Sequence, residues 1–375
     1  VMKDFAGDEI PEAELRKIVA ETIAFEIPLK KVTENISVLE LFHGPTLAFK
    51  DVGARFMSRC LGYFLKNETR KVTVLVATSG DTGGAVANGF YDVEGIEVVI
   101  LYPKNRVSPV QEKQLTALGK NIHALEVNGS FDDCQALVKQ AFSDESLNEK
   151  LLLTSANSIN VARWLPQQIY YVLALKQWLK INSENPVICV PSGNFGNICA
   201  GILAHHRGLP VEHFIAACNV NDVVPEYLRT EILQPKETVA TISNAMDVGD
   251  PSNFVRILEL FDKEFNQVKN KLSGYTIDDE ETLKTIKRVE KDYGYVLDPH
   301  GAVAFVALEK YLTENDGKGF FLETAHPVKF PDSVEQATGK SVEIPKSLEE
   351  LMKQGKFTTE INPQYEELKG FLLGK

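Results

Sequence analysis

Short runs of consecutive apolar residues, rich in valine and isoleucine, recur along this chain between longer stretches where apolar positions return every three or four residues. A run of the first kind reads as a strand buried on both faces, and a stretch of the second kind as a helix that covers it. Lys71–Ala77 (KVTVLVA), Glu97–Tyr102, Ile122–Val127, Pro186–Pro191 (PVICVP), Phe214–Cys218 and Gly319–Thr324 (GFFLET) are predicted strands, preceded by one over Ser37–Phe42. Between them the spacing predicts helices. One amphipathic helix lies within residues 1–30, with Pro11 in its first turn and Leu15, Ile18, Val19 and Ile23 on its apolar face. Others follow Asp51 to near Asn67, Gly84 (AVANGFYDV), Ser108-Pro109, Asp132–Phe142, and Asn197 (ICAGILAHHRG), and a long one opens in SANSINVAR (Ser155–Arg163) and continues through Trp178. This alternation of strand and helix implies a parallel sheet covered on both faces.

Three polar stretches break the rhythm, and each carries chemistry. In Leu41–Asp51 (LFHGPTLAFKD), Lys50 stands between Phe49 and the apolar run of the next helix. Apolar neighbours disfavour the charged form of a lysine and leave its amine available as nucleophile or base, as a Schiff-base lysine requires. Many lysines so placed simply extend to solvent, so the reading depends on the other two stretches. Thr78–Gly83 (TSGDTG) and Ser192–Asn197 (SGNFGN) each follow a strand and open a helix. In that geometry backbone amides at a helix N-terminus meet an anion, and glycine lets successive amides point into one concavity. Neither stretch carries the spacing of an ATP loop or a dinucleotide fingerprint. The hydroxyls of Thr78, Ser79 and Thr82 suit a carboxylate or phosphate oxygen, whereas Asp81 would repel an anion and is expected to face a donor. Arg163 can bind a phosphate through charge-assisted hydrogen bonds, each contributing about 1.5–3 kcal/mol when shielded from water. Lys113 is a weaker candidate of the same kind. His43, His300 and His326 share no metal spacing, so no metal site is expected.

Composition narrows the setting. The chain has 375 residues, 44% hydrophobic and 25% charged, which suits an ordinary globular protein of two α/β lobes. A net charge of −12 speaks against nucleic acid or an anionic membrane as partner and leaves small anions open. The 5 cysteines form no C-x-x-C pair, so reduced buried thiols and a cytoplasmic setting are expected. No apolar run is long enough for a membrane span, and the acidic surface leans to a monomer.

Taken together, LFHGPTLAFKD, TSGDTG, NSIN with Arg163, PSGNFGN and ETAHPVKF resemble, in order and spacing, threonine synthase of the type found in yeast and many bacteria. The resemblance runs from about Gly7 to the region of Pro345. It implies a fold type II pyridoxal-phosphate enzyme with two α/β lobes, each a mostly parallel sheet flanked by helices, and the cofactor in the cleft between them. By this resemblance Lys50 forms the Schiff base with pyridoxal 5'-phosphate, and Gly193, Asn194, Phe195, Gly196 and Asn197 cradle the cofactor phosphate. Asp81 lies near the cofactor's 3-hydroxyl. Thr324 meets the pyridine nitrogen, and a hydroxyl there makes the ring a milder electron sink than a carboxylate would.

The implied reaction converts O-phosphohomoserine and water to threonine and phosphate, the last step of threonine biosynthesis. Thr78, Ser79 and Gly80 would hold the substrate carboxylate. Thr82, Lys113, Asn157, Ser158 and Arg163 would hold its phosphate. Three divisions are expected: residues 1–40 as the remainder of an N-terminal domain, 41–180 as the lobe with the lysine and substrate loop, and 181–375 as the lobe with the phosphate loop. Family members carry a further N-terminal segment, so the helix within residues 1–30 is expected to lack its packing partner. Three alternatives stay open on the sequence: a related phospholyase that releases 2-oxobutyrate with phosphate, a serine or threonine dehydratase with no use for a phosphate clamp, and a non-catalytic protein that binds a phosphorylated metabolite.

Overall fold

In a computed structural model that describes residues 1–68 and 70–374, the apolar runs become strands and the periodic stretches helices. The described strands are β1 (Leu29–Lys31), β2 (Ile36–Glu40), β3 (Val72–Ala77), β4 (Ile96–Pro103), β5 (Ile122–Val127), β6 (Leu152–Ser155), β7 (Val187–Pro191), β8 (His213–Cys218), β9 (Leu272–Thr276), β10 (Gly319–Glu323) and β11 (Thr359–Ile361). The chain divides into two units. One contains Phe25–Phe49 and Trp164–Glu343 together with Val1, and the other contains Met2–Ala24, Lys50–Arg163 and Ile344–Lys375.

The first unit is built on a sheet in the order β1-β2-β10-β7-β8-β9, parallel throughout except for the antiparallel edge pair β1 and β2. Its central strands are buried on both faces, which is why they read as unbroken apolar runs. On one face Val38, Cys189, Ile215 and Phe321 pack against Val303 and Phe305 of the helix Pro299–Glu314. On the other, Trp178 and Tyr171 of the helix Gln168–Trp178 meet Phe320 and Phe214. β10 lies beside β7, so the loops leaving their carboxyl ends are neighbours.

The second unit carries an all-parallel sheet in the order β11-β5-β4-β3-β6. Alternate residues of β3 serve opposite cores, Val72, Val74 and Val76 on one side and Leu75 and Ala77 on the other. The helices Lys50–Phe64 and Asp81–Phe90 pack together on the first of these sides.

A linear division at residues 40 and 180 is not the one found. The strand before the lysine, β2, pairs with β10, and the C-terminal strand β11 pairs with β5. Parallel pairing joins segments distant in sequence, and closure entropy grows slowly with loop length, so chain order does not dictate unit membership. The N-terminal helix also differs from expectation. It spans Glu12–Thr22 and packs on the helix Lys50–Phe64, burying Leu15 and Ile18 to 5% exposure, so its apolar face has a partner. Ile18→Ala should therefore lower unfolding stability in urea by about 2–4 kcal/mol, the usual cost of a large-to-small core change. An unchanged midpoint and slope would mean that this helix contributes nothing to the fold.

The helix expected from SANSINVAR through Trp178 is interrupted. Val161–Trp164 is followed by a 3-10 turn, Leu165–Gln167, and then by Gln168–Trp178. Pro166 lacks an amide hydrogen and cannot continue the intrahelical ladder, which accounts for the break. The five thiols are free, and burial pushes Cys60, Cys134 and Cys199 up to about 12, so they stay protonated near neutrality. Among the described residues no helix is long and apolar enough to cross a membrane.

Candidate active site

The loop after β7 runs from Ser192 to Asn197 and opens the helix Gly196–His206. Phe195 adopts a left-handed conformation (φ 61, ψ 9), which turns the chain sharply into the helix. Gly193 has no alternative: a Cβ there would lie 2.7 Å from Met246 Cα and 2.8 Å from Ala245 O. The loop is braced from outside. Asn253 Nδ2 donates to Asn194 O at 3.0 Å, and Ser252 Oγ donates to Asn194 Oδ1 at 3.0 Å. The Tyr171 hydroxyl lies 2.7 Å from Asn197 Oδ1 and 2.9 Å from Asn197 O. Burial raises Tyr171 far above the ordinary phenol range, so it remains a donor, and Asn197 must present its amide nitrogen elsewhere. That nitrogen, Nδ2, is buried and has no hydrogen-bond partner among the described residues. A glycine cradle, a helix N-terminus and a buried uncommitted donor suit the phosphate group of a cofactor.

Thr324 follows β10 at 6% exposure, at the carboxyl end of the neighbouring strand. Its carbonyl accepts the Phe49 amide at 2.9 Å, and the His326 amide donates to Leu47 O at 3.1 Å around an Ala48–Ala325 bridge. Lys329 Nζ donates to Thr46 O at 2.9 Å, and the Tyr170 hydroxyl donates to Phe49 O. The turn between His43 and Phe49 thus holds Leu47 in a left-handed conformation (φ 57), which a branched residue adopts only when its surroundings enforce it. Lys50 is the next residue along and the first of the helix Lys50–Phe64.

In the second unit the candidate substrate residues Thr78, Ser79, Gly80 and Thr82 follow β3, Asn157, Ser158 and Arg163 follow the adjacent strand β6, and Lys113 lies on the helix Pro109–Thr116 after β4. The Thr78 hydroxyl accepts the amides of Gly80 at 3.0 Å and Gly83 at 2.8 Å, so it shapes the loop. Gly80 has φ +138, where side-chain-bearing residues are strained, and a Cβ there would also meet the Gln111 side chain at 2.5 Å. Asp81 is buried and accepts Gln111 Nε2 at 2.8 Å. Gln111, absent from the sequence-predicted site residues, is the donor that Asp81 faces. The signal was present, because Gln111 completes a capping box with Ser108 at the start of Pro109–Thr116, placing the glutamine at the helix N-terminus. Ser79 and Thr82 are half-buried.

Asn157 Nδ2 donates to Ala77 O at 3.1 Å, tying the loop after β6 to the end of β3, with half-buried Ser158 beside it. Lys113 Nζ donates to the Gln354 carbonyl of the C-terminal segment. Arg163 is 3% exposed and donates through Nη1 to Ala156 O. Its backbone packs directly on the helix that begins at Lys50: a Cβ on Gly53 would fall 2.1 Å from Arg163 O and 3.3 Å from its Nε. Residues three apart on a helix share a face, so Lys50 and the Arg163 contact at Gly53 lie on one side of that helix.

Of the remaining histidines, exposed His43 pairs through Nε2 with Glu40 Oε2 at 2.7 Å. Burial, and then the neighbouring His43, hold His326 down at about 4, and its Nδ1 accepts the Val328 amide. Among the described residues no three histidine, cysteine or carboxylate side chains are grouped to hold a metal.

The two sheets and their loops define a pyridoxal-phosphate-dependent enzyme of fold type II. Residues 23–319 match the family described as Pyridoxal-phosphate dependent enzyme, and residues 301–372 match the one described as Threonine synthase, C-terminal. The chain is 47% identical over 374 residues to the threonine synthase of Serratia marcescens, covering 100% of this chain and 86% of the relative. It superposes on the crystal structure of threonine synthase from Escherichia coli with a TM-score of 0.92 at 46% identity, covering 100% of this chain and 86% of that one. It also superposes on PLP-bound threonine synthase from Brucella melitensis with a TM-score of 0.93 at 36% identity, covering 99% and 86%. The chain belongs to the threonine synthase family.

Proposed function

We propose that this chain converts O-phosphohomoserine and water to threonine and phosphate, with Lys50 as the covalent anchor of pyridoxal phosphate and as the base that moves protons at the substrate. When bound, the cofactor supplies an electron sink for charge that develops at the substrate carbons. Everything else falls to the chain's own groups. Gly193, Asn194, Phe195, Gly196 and Asn197 hold the cofactor phosphate, Thr324 presents a hydroxyl to the ring nitrogen, and Asp81, steadied by Gln111, faces the 3-hydroxyl. Gly80 and the Ser79 hydroxyl take the substrate carboxylate, in a loop whose curvature Thr78 sets by accepting the Gly80 and Gly83 amides. Thr82, Ser158, Asn157, Lys113 and Arg163 serve the substrate phosphate, where negative charge builds as the group departs. Lys113 and Asn157 do so after giving up, or alongside, their bonds to Gln354 and Ala77.

The observation that carries this reading is buried Arg163, packed one turn along the helix from Lys50. A serine or threonine dehydratase has no use for a buried guanidinium on the lysine's face. Charge-assisted bonds to a phosphate are worth enough that Arg163→Ala should lower kcat/KM for O-phosphohomoserine by about 100-fold, roughly 2.7 kcal/mol. The test is to supply the chain with pyridoxal phosphate and O-phosphohomoserine and to quantify phosphate, threonine and 2-oxobutyrate together. Threonine equal to phosphate is the expected result. Phosphate matched by 2-oxobutyrate would make the chain a phospholyase, and an Arg163→Ala variant of full activity would remove the phosphate clamp from the mechanism.

A further inference from the structure

We propose that the buried trio Glu323, Asp298 and His300 is a positioning device for the cofactor-phosphate loop, with His300 holding the Ala245–Met246 backbone against Gly193 and Glu323 fixing the trio beside Thr324. The inference rests on the reading that Ser192–Asn197 binds the cofactor phosphate. All three side chains are at 2% exposure or less, and no step assigned above uses them.

Asp298 caps the helix Pro299–Glu314: its Oδ1 accepts the His300 backbone amide at 2.6 Å and also meets the ring Nδ1 at 2.6 Å. On the far side of the ring, Nε2 accepts the Ala245 amide at 3.2 Å. A backbone amide can only donate, so Nε2 carries a lone pair. The ring proton therefore sits on Nδ1 and is given to Asp298, and the imidazole is neutral. Phe330 packs on the ring, with centroids 4.8 Å apart.

Glu323 closes the other end. Its Oε1 accepts the Asp298 amide at 2.7 Å. Burial, and then the Asp298 charge, push its carboxyl well above the ordinary range, so Glu323 keeps its proton and shares it with Asp298. No other partner among the described residues serves Glu323 Oε2 or Asp298 Oδ2. A Cβ on Gly301 would fall 1.6 Å from Glu323 Oε2, so the run Asp298-Pro299-His300-Gly301 has a cap, a first-turn proline, an acceptor and a clearance in succession.

The segment that His300 grips is anchored elsewhere to the loop after β8 and to the helix Asp279–Tyr293, where Ile242 N donates to Asp279 Oδ1 at 3.3 Å. Asp247 accepts Thr241 N at 2.9 Å, Asn219 Nδ2 at 2.8 Å and Asn221 Nδ2 at 3.2 Å. These bonds leave the Ala245–Met246 peptide to the bond that the Ala245 amide makes to His300 of the helix Pro299–Glu314. The inner surface of the segment is that peptide, lying where a Gly193 Cβ would be. Releasing Ala245 lets that surface withdraw and loosens the cradle, although no member of the trio touches the cofactor.

The test compares His300→Gln, His300→Asn and His300→Ala in the full chain, reading pyridoxal phosphate affinity by spectral titration alongside the melting temperature. A glutamine places an acceptor near the Nε2 position and can serve Ala245, whereas an asparagine matches Nδ1 and serves only Asp298. Losing the Ala245 bond should weaken cofactor affinity by about tenfold in the Ala and Asn variants, with the Gln variant recovering most of it. Recovery by Asn and not Gln, or wild-type affinity in His300→Ala, would overturn the proposal and leave His300 a helix-capping residue. Asn197→Ala is the control for the underlying reading. Wild-type affinity in that variant would place the cofactor phosphate elsewhere and withdraw the proposal on different grounds.

Discussion

Lys50→Ala is expected to eliminate threonine formation, with a fall in kcat of at least about 10^4-fold, because the role proposed for Lys50 joins the covalent anchor and the proton-moving group in one amine. The reason lies in how the amine is delivered. Phe49, immediately before it, is bonded through its amide to Thr324 O and through its carbonyl to the Tyr170 hydroxyl. Ala48 is bridged to Ala325, and the turn is closed by Leu47 N to Gly44 O at 3.0 Å. The main chain leading directly into Lys50 is thus fixed at several points. Borohydride treatment of the wild-type protein with pyridoxal phosphate, followed by peptide mass analysis, should place the adduct on the peptide containing Lys50. The informative rival is Lys329, fully buried with its Nζ donating to Thr46 O. An adduct on Lys329, or an adduct surviving in Lys50→Ala, would sink the assignment.

Gly53→Ala should be the most damaging small substitution in the second unit. Alanine is favoured over glycine in a helix interior by about 1 kcal/mol, so propensity alone predicts a gain. Against it stands a new Cβ 2.1 Å from the Arg163 carbonyl oxygen and 3.1 Å from its carbon, well inside contact distance and against backbone that cannot rotate away. Overpacking of this kind outweighs the propensity, leaving a net loss of about 3 kcal/mol. Chemical denaturation measures that loss. Because the atom displaced belongs to Arg163, KM for the phosphorylated substrate should rise as well, which a purely structural defect elsewhere in the helix would not cause. A variant at least as stable as wild type, with unchanged KM, would mean that helix and arginine do not pack as described.

Much of the architecture was legible in the chain because its central strands are buried on both faces and so read as unbroken apolar runs. β3, β5 and β7 lie within one residue of the expected bounds. Strands with a polar face or an edge position gave no such signal. β9 (LSGYT) and β11 (TEI) lack an apolar run, and the region from Asn219 to Lys318 hides the helices Asp279–Tyr293 and Pro299–Glu314 behind polar loops. The motifs fared similarly. The glycine-rich loops were legible since glycine announces where a backbone must approach something closely. The residues that brace them, Gln111, Tyr171, Asn253 and His300, each look ordinary in their own neighbourhood.

By itself the sequence determined the elements of local origin: strands from continuous apolar runs, helices from their period and caps, loops from glycine. It also carried the family resemblance, in five motifs whose order survives however the chain is folded. The tertiary structure decided what depends on pairing across long separations. It put β2 beside β10 and β11 beside β5, so the units interleave instead of following one another along the chain. It set Arg163 against Gly53 and His300 against Ala245, contacts between residues 110 and 55 positions apart that no local pattern encodes. Such contacts arise from the packing of whole elements, and the packing energy is shared among many side chains, none of which signals its partner in the sequence.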